Sequence, residues 1–498
     1  MTTETIYWGD LHSHCAISYG RGTLDRALRA ARSHLDFCSV TGHAFWPDMP
    51  TDRSRYADVI DYHEHGFAQL ARDWPTVVET TEAHHDPGHF VPLLSYEWHS
   101  LRYGDHNVYL PDGRTELVDG ADLETLRAAV PPDALLIPHH IGYGPGARGI
   151  DWDTFDAARS PVVEMVSTHG AAERDGGPLP YHHTMGPRIA AGTGAAGLDA
   201  GHRFGLIGST DHHGGYPGHH GGGRTAVFAG ALTRGAILGA LRNRRCYAVT
   251  GDKIRLSFHV GDAPMGAETT ADERREIRIA VRGEDAIDRV ELIKNGRPAA
   301  RRFGPLAGGA HDPDASHKIR LEWGWGERDR VVPWEGEATV DGGALLAAEP
   351  VFRGEEVLDP RDPGPDLPED ALLHEVTSRD DASVTWRSTT FGNLHPRVPS
   401  TSGLVLEVRG APSTVLRFRV NGRTFAYTLA DLLAGSRRHA MRGWLSEVFY
   451  LHRAVPEASF ALEWHLDDVA EREVDVYYLR VAQDNGEMAW SSPIWVAR

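Results

Sequence analysis

The stretch Trp8-Gly9-Asp10-Leu11-His12-Ser13-His14 decides the reading of this chain. It continues directly from Thr5-Ile6-Tyr7-Trp8, a short run that predicts a strand. Residues i and i+2 of an extended segment project from the same face. His12 and His14 can therefore reach one point at the strand's end, and Asp10 points the same way. Two neutral imidazoles beside a carboxylate form a donor set for a divalent metal. An isolated His-x-His pair is as readily a solvated surface feature, so the pair needs support from elsewhere in the chain.

Working outward, short apolar runs alternate with helical ones. Phe37–Val40 reads as a strand ending in Thr41-Gly42-His43, and Phe90–Tyr96 as one ending in Glu97-Trp98-His99. His106 starts a further strand. Ala134–Ile137 hands over to Pro138-His139-His140, Pro161–Val166 contains Glu164 and precedes His169, and Phe204–Ser209 leads into Thr210-Asp211-His212-His213. Helical spacing covers Thr23–Arg32, with Thr23 as N-cap, then Tyr56–Arg72 and Leu123–Ala129. This alternation predicts an α/β fold with a parallel sheet or barrel. Such folds build their sites at the C-terminal ends of strands, and here most strand ends carry His, Glu or Asp. Only nitrogen and oxygen donors are on offer, which suits Zn, Mn or Fe. About eight candidates exceed the three or four donors of one catalytic ion, so two or three divalent ions sharing a carboxylate are expected.

The chain has 498 residues, with 51 Lys+Arg against 70 Asp+Glu and a net charge of -19. That length exceeds one ordinary core, so two domains are expected, 1–252 and 253–498. The charge disfavours nucleic acid or an anionic membrane as partner. A small-molecule substrate held through metal remains compatible, as does a homo-oligomer. Cys15, Cys38 and Cys246 are far apart, which argues against a disulfide framework or a Cys-rich zinc site. With no leader-like N-terminus and no run long enough to span a bilayer, a cytoplasmic protein is expected. Of 29 histidines, 21 precede Gly251 and 8 follow it, which assigns the chemistry to the first half.

Gly9-Asp10-Leu11-His12-Ser13-His14, Thr41-Gly42-His43, Glu97, His106, Pro138-His139-His140 and Ser209-Thr210-Asp211-His212-His213 resemble, in order, the motifs of the PHP (polymerase and histidinol phosphatase) superfamily. Tyr7–His12 resembles the start of its DUF3604-like branch. The resemblance implies a distorted (β/α)7 barrel with a two- or three-metal centre at its C-terminal rim, and hydrolysis, most often of phosphate esters. It implies that His12 and His14 bind one ion with Asp211, and that Glu97 bridges to a neighbour. It assigns His43 and His213 to another ion, and His106 and His139 to a third, with His140 close by. The spacing Asp211-x-His213 favours His213 over His212. Two positions depart from the pattern: Gly42 stands where the family usually has Asp, and Tyr19 where it often has Asp.

Asp10 is read as orienting an imidazole through its distal N–H, and His140 or His169 as proton donor to a leaving group. Arg148, Arg188 and Arg224 lie in Gly-rich loops; each is read first as a solvated loop arginine and second as an anion clamp. Gly192–Gly201 and Gly214–Gly223 predict irregular loops over the rim. After Gly251, alternating runs with turns at Asn295-Gly296, Asn421-Gly422 and Asn485-Gly486 predict an antiparallel β-sandwich-like accessory domain. A Pro- and acid-rich loop at 358–369 and a helical insertion around Thr428–Arg442 interrupt it. Trp323, Trp325 and Trp334 are read as core or interface aromatics ahead of a carbohydrate platform. The expected function is a metal-dependent hydrolase using a metal-activated water, a phosphoesterase first. Amide, ester or carbamate hydrolysis on the same centre comes second, and a non-catalytic metal- or ligand-binding protein third.

Overall fold

The computed structural model describes residues 4–183, 185–305, 315–327, 330–357, 368–392 and 400–498. In the first half, the strands are β1 (Thr5–Asp10), β2 (Phe37–Ser39), β3 (Gly42–Phe45), β4 (Val91–Leu93), β5 (Ser95–Trp98), β6 (His106–Tyr109), β7 (Leu135–Pro138), β8 (Val162–Ser167), β9 (Gly170–Ala171), β10 (Gly205–Gly208), β11 (Arg224–Ala229) and β12 (Cys246–Val249). The helices are α1 (Leu24–Arg32), α2 (Arg53–Ala83), α3 (Leu123–Ala129), α4 (Gly194–Asp199) and α5 (Arg234–Arg242). Thr23 caps α1, accepting a hydrogen bond from the Arg26 N–H, and the cap side chain supplies one of the acceptors that a helix start lacks. Leu24, Ala27, Leu28 and Ala31 of α1 are buried against Leu70 and Trp74 of α2 and Phe90.

The fold is mixed α/β, rich in strands and divided among several sheets. The expected parallel barrel is not closed as one ladder among the described residues. β4, β2, β1, β11 and β12 form one ladder, β3, β5, β6 and β7 a second, and β9, β8 and β10 a third. Among the described residues of this half, the strand pairs β1–β2, β2–β4, β3–β5 and β8–β10 run parallel. β5–β6, β6–β7, β1–β11 and β11–β12 are antiparallel. The break falls inside the run that reads as one strand from Phe90: β4 pairs with β2 while β5, after Leu94, pairs with β3. A parallel bridge between Ser13 and His212 still joins the end of β1 to the loop after β10.

Gly192–Gly201, expected to be irregular, contains α4. Thr193 accepts from the Ala196 N–H, and the carbonyls of Ala172 and Glu173 accept from Gly194 and Ala195. Gly197 lies against Trp152, where a Cβ would come within 2.5 Å of the ring. The glycine there serves close packing rather than freedom. Gly214–Gly223 has no helix or strand, as expected.

The second half is antiparallel apart from a short edge, where 268–270 runs parallel to 495–497. Arg255–Val260, Arg274–Arg282 and Ala461–Val469 form one layer. Its alternating apolar face packs on Val290, Leu292, Tyr477 and Leu479 of the facing strands. The turns at Asn295-Gly296 and Asn421-Gly422 have both residues at positive φ, the backbone a two-residue hairpin requires. Met488–Ser491 pairs with β12, so one ladder crosses the expected boundary at residue 252. The helical insertion is shorter than expected: Leu429–Ala434 is helix, while Arg437–Ala440 is a strand paired with 448–451. Trp323 and Trp334 are buried and donate through indole N–H to Ser388 and Thr390, which makes them core residues. Of the loop expected at 358–369, only 368 and 369 are among the described residues.

Candidate metal centre

Glu97, on β5, is wholly buried and stands between two sets of imidazoles. Its Oε2 faces His43 Nδ1 at 2.8 Å, His14 Nε2 at 3.6 Å and His12 Nε2 at 3.9 Å. Its Oε1 faces His139 Nε2 at 2.9 Å and His99 Nδ1 at 3.3 Å. Asp211 divides in the same way. Its Oδ1 lies 3.0 Å from His14 Nε2 and 3.4 Å from His12 Nε2, and its Oδ2 3.1 Å from His169 Nε2 and 3.7 Å from His140 Nε2.

These separations match those between ligands on one ion. Donors bound at about 2.0–2.1 Å in a tetrahedron lie about 3.3–3.4 Å from each other. His12 Nε2 and His14 Nε2 are 3.0 Å apart, and both reach Glu97 and Asp211 within 3.0–3.9 Å. Overlapping donor groups extend the pattern: His14, His43 and His213; His43, Glu97 and His99; Glu97, Asp105, His139 and His140; His140, His169 and Asp211. Glu97 recurs in them as the shared carboxylate.

Local backbone explains how adjacent residues both reach the cluster. Strand geometry would send His139 and His140 to opposite faces. His140 has φ 53°, Asp211 φ 52° and Arg148 φ 62°, left-handed conformations that are costly for residues other than glycine and concentrate at functional sites. The turn at His140 brings both imidazoles inward, their ring centres 4.4 Å apart. After Asp211, His213 turns towards His14 and His43, whereas His212 stacks on His219 at 4.1 Å.

The donor chemistry fits a divalent cation. Glu164 on β8 accepts from His12 Nδ1 at 2.9 Å, which leaves the Nε2 lone pair directed at Asp211 and His14. This carboxylate–histidine pairing is how proteins orient metal-binding imidazoles. Oε2 of Glu97 is buried without a well-formed hydrogen bond, as are Nδ1 of His14 and of His139. Burial pushes His14, His43 and His140 below the ordinary histidine range and His213 down to about 3. Burial pushes Glu97 up, but His99, His43 and His139 hold it well below the usual carboxylate range. His43, which burial keeps neutral, cannot supply the positive charge an ionised Glu97 needs, and the Arg148 guanidinium stands 3.7 Å from Oε1. A divalent cation seated among these donors would supply that charge. His12 is the exception: burial lowers it, yet Glu164, Asp211 and Glu97 outweigh burial and raise it to about 10.

Three expectations are corrected. Asp10 does not orient an imidazole. Its carboxylate accepts from the backbone N–H groups of His12, Thr210 and Gly218 and from the Thr210 hydroxyl, stapling the segment after β1 to the loop between β10 and β11. Burial pushes it up to about 6 despite those four donors. His106 pairs across the ladder with Trp98, while Glu97 pairs with Asn107. Directly paired residues share a face, so His106 turns to the face opposite Glu97, where its Nδ1 donates to the Gly104 carbonyl at 2.9 Å. Asp105, not His106, lies on Glu97's side. Arg148 and Arg224 are not solvated. Arg224 is buried, donating to the Gly218 carbonyl, and Arg148 lies against Asp105.

Glu164 has no role that sequence pattern assigns, and pattern misses His99 and Asp105 as donors. Alternation counted from Glu97 is the signal that could find His99; Asp105 lies beyond the turn into β6, where no local pattern marks its face. The two departures are also accounted for. A Cβ at Gly42 would meet Leu70 at 2.6 Å and Ile17 at 3.1 Å, leaving no room for an aspartate. Tyr19 stacks on His43 with ring centres 3.7 Å apart.

No family model matches the chain. Over 165 residues it is 32% identical to an uncharacterized protein of Chlamydia muridarum, covering 30% of this chain and 27% of that one. A Chlamydia pneumoniae protein, also uncharacterized, is 32% identical over 168 residues with the same shares covered. The matched region thus spans about a quarter of the length of these curated relatives. A crystal structure from Bacteroides vulgatus, described as a two-domain protein containing a predicted PHP-like metal-dependent phosphoesterase, superposes with a TM-score of 0.33 at 16% identity, covering 60% of this chain and 85% of that one. A superposition that loose carries no argument. Among the described residues no helix is long and apolar enough to cross a membrane.

Proposed function

We propose that this chain is a metal-dependent hydrolase of the PHP type, acting on a small phosphate ester. The observation that carries the reading is the gathering of His12, His14 and His43 about Oε2 of buried Glu97, with Asp211 Oδ1 beside His12 and His14. His12, His14, Glu97 and Asp211 would hold one ion, and His43 and His213, with Glu97 shared, a second. Bound divalent ions make hydroxide available near neutral pH and offset negative charge developing on the substrate's oxygens. We take residues 1–252 as the hydrolase unit, its three ladders an opened form of the (β/α)7 barrel, and 253–498 as an accessory half.

The chain's own groups supply orientation and proton transfer. Glu164 fixes the tautomer of His12, and Asp10 fixes the loops that carry His12, Asp211 and Gly218. His169 is held between the Tyr143 hydroxyl at 3.0 Å from Nδ1 and Asp211 at 3.1 Å from Nε2. It keeps 19% of its side chain exposed, against 0% for His12, which puts it towards the open side. We assign it the proton delivered to the leaving group, with His140 behind it. The test is turnover of p-nitrophenyl phosphate, bis-p-nitrophenyl phosphate and p-nitrophenyl acetate with added Mn²⁺ or Zn²⁺. Metal-dependent hydrolysis of a phosphate ester supports the reading. Hydrolysis of the acetate alone would move the assignment to carboxylic esters and amides on the same centre.

A further inference from the structure

We propose that the guanidinium of Arg148 takes the place of one ion in this centre, filling the corner formed by Glu97, His99 and Asp105. The proposal rests on the metal-centre reading above and adds to it a limit on ion number. Three acceptors converge on that corner. His99 Nδ1 lies 3.3 Å from Glu97 Oε1 and 3.4 Å from Asp105 Oδ2, the spacing of about 3.3–3.4 Å expected between donors on one ion. Arg148 Nη2 approaches all three. It is 2.5 Å from Asp105 Oδ2 and 3.7 Å from Glu97 Oε1, and it hydrogen bonds to His99 Nδ1.

The placement is built rather than incidental. Arg148 adopts left-handed backbone, its guanidinium lies over the Trp46 ring at 5.0 Å, and Nη1 contacts the Met185 sulfur at 3.3 Å. Only 15% of the side chain is exposed. An arginine stays charged at any working pH, so the corner carries a permanent cation. A metal ion there would have to displace the guanidinium and would meet like-charge repulsion if it did not. The donors alone would admit one more ion than the chain holds.

The test is metal content per chain after saturation with Mn²⁺ or Zn²⁺ and dialysis against metal-free buffer. Arg148→Met and Arg148→Gln remove the charge and are expected to carry one equivalent more than the unmodified protein. Arg148→Lys keeps a cation and is expected to match it. A count in Arg148→Met and Arg148→Gln equal to or below that of the unmodified protein overturns the assignment of Arg148 while leaving the centre intact. An unmodified protein that binds no metal overturns the centre as well. Anomalous scattering from metal-loaded crystals of the unmodified protein needs no variant to fold. It must show no ion within bonding distance of Asp105, and an ion found there overturns the proposal.

Discussion

Glu97 and Asp252 are both wholly buried carboxylates, and their surroundings are opposite. Asp252 accepts from Arg320 at 2.6 Å on each oxygen, from Gln483 and Asn485 at 2.8 Å, and pairs with His220 at 2.9 Å. Burial pushes it up, and Arg320 with His220 hold it well below its usual range. Its charge is matched within the chain. Glu97 is faced at closer range by imidazoles, with the Arg148 guanidinium held off at 3.7 Å, and one of its oxygens lacks a well-formed hydrogen bond. The second half repeats the Asp252 pattern at Asp475 with Arg275 and Asn295, and at Glu291 with Arg301 and Arg480. A buried acid closed off by arginine holds elements together. A buried acid ringed by imidazoles, with its nearest arginine out of hydrogen-bond contact, is arranged to receive a cation from outside.

The largest break in this comparison is expected from Glu97→Gln. Turnover should fall by about 10²–10³-fold, the scale of losing a central electrostatic group, together with bound metal and with the fold retained. Metal analysis and circular dichroism on one preparation check this. Asp252→Ala should do the reverse. It strands Arg320 without its carboxylate, and breaking a buried pair costs about 3–5 kcal/mol. Urea unfolding should record that loss while metal per folded chain stays unchanged. Glu164→Gln sharpens the comparison from inside the centre. Losing the carboxylate that orients His12 should weaken metal binding by about 10–100-fold, read by competition with a chelator.

An effect visible only as pH is lowered concerns His374, buried in the second half, sharing a hydrogen bond with Ser388 and stacked on Phe352. Burial lowers it to about 3. The folded state therefore refuses a proton that the unfolded chain accepts near pH 6.5. The stability it contributes is fully present above pH 6.5 and is lost as pH falls from there towards 3, by about 1.4 kcal/mol per pH unit. His374→Gln should flatten the stability–pH curve over that window by this slope. An unchanged slope would place the acid sensitivity in the imidazoles of the centre instead.

Much of the site is legible in the sequence because its donors follow strands, where period-two alternation and strand ends are written locally. His12, His14, His43, Glu97, His139, Asp211 and His213 come together from separate segments on that logic. His106 does not follow it, because the ladder register, which no local pattern encodes, sets which of residues 105 and 106 shares Glu97's face. The antiparallel pairing of β6 and β11 is hidden for the same reason: alternation fixes faces, not neighbours. Helix α4 is hidden by composition, since Gly197 is there to let Trp152 approach. The end of the helix at Leu429–Ala434 depends on pairing of Arg437–Ala440 with a strand further along. Arg148 reads as solvated because loop arginines usually are, and only tertiary contact with Asp105 shows otherwise.

The most direct test is anomalous diffraction from crystals loaded with Zn²⁺ or Mn²⁺. The account predicts strong peaks within bonding distance of Glu97, one of them shared with His12, His14 and Asp211. An empty cluster, with the ion seated elsewhere or Glu97 turned from the imidazoles, would contradict it.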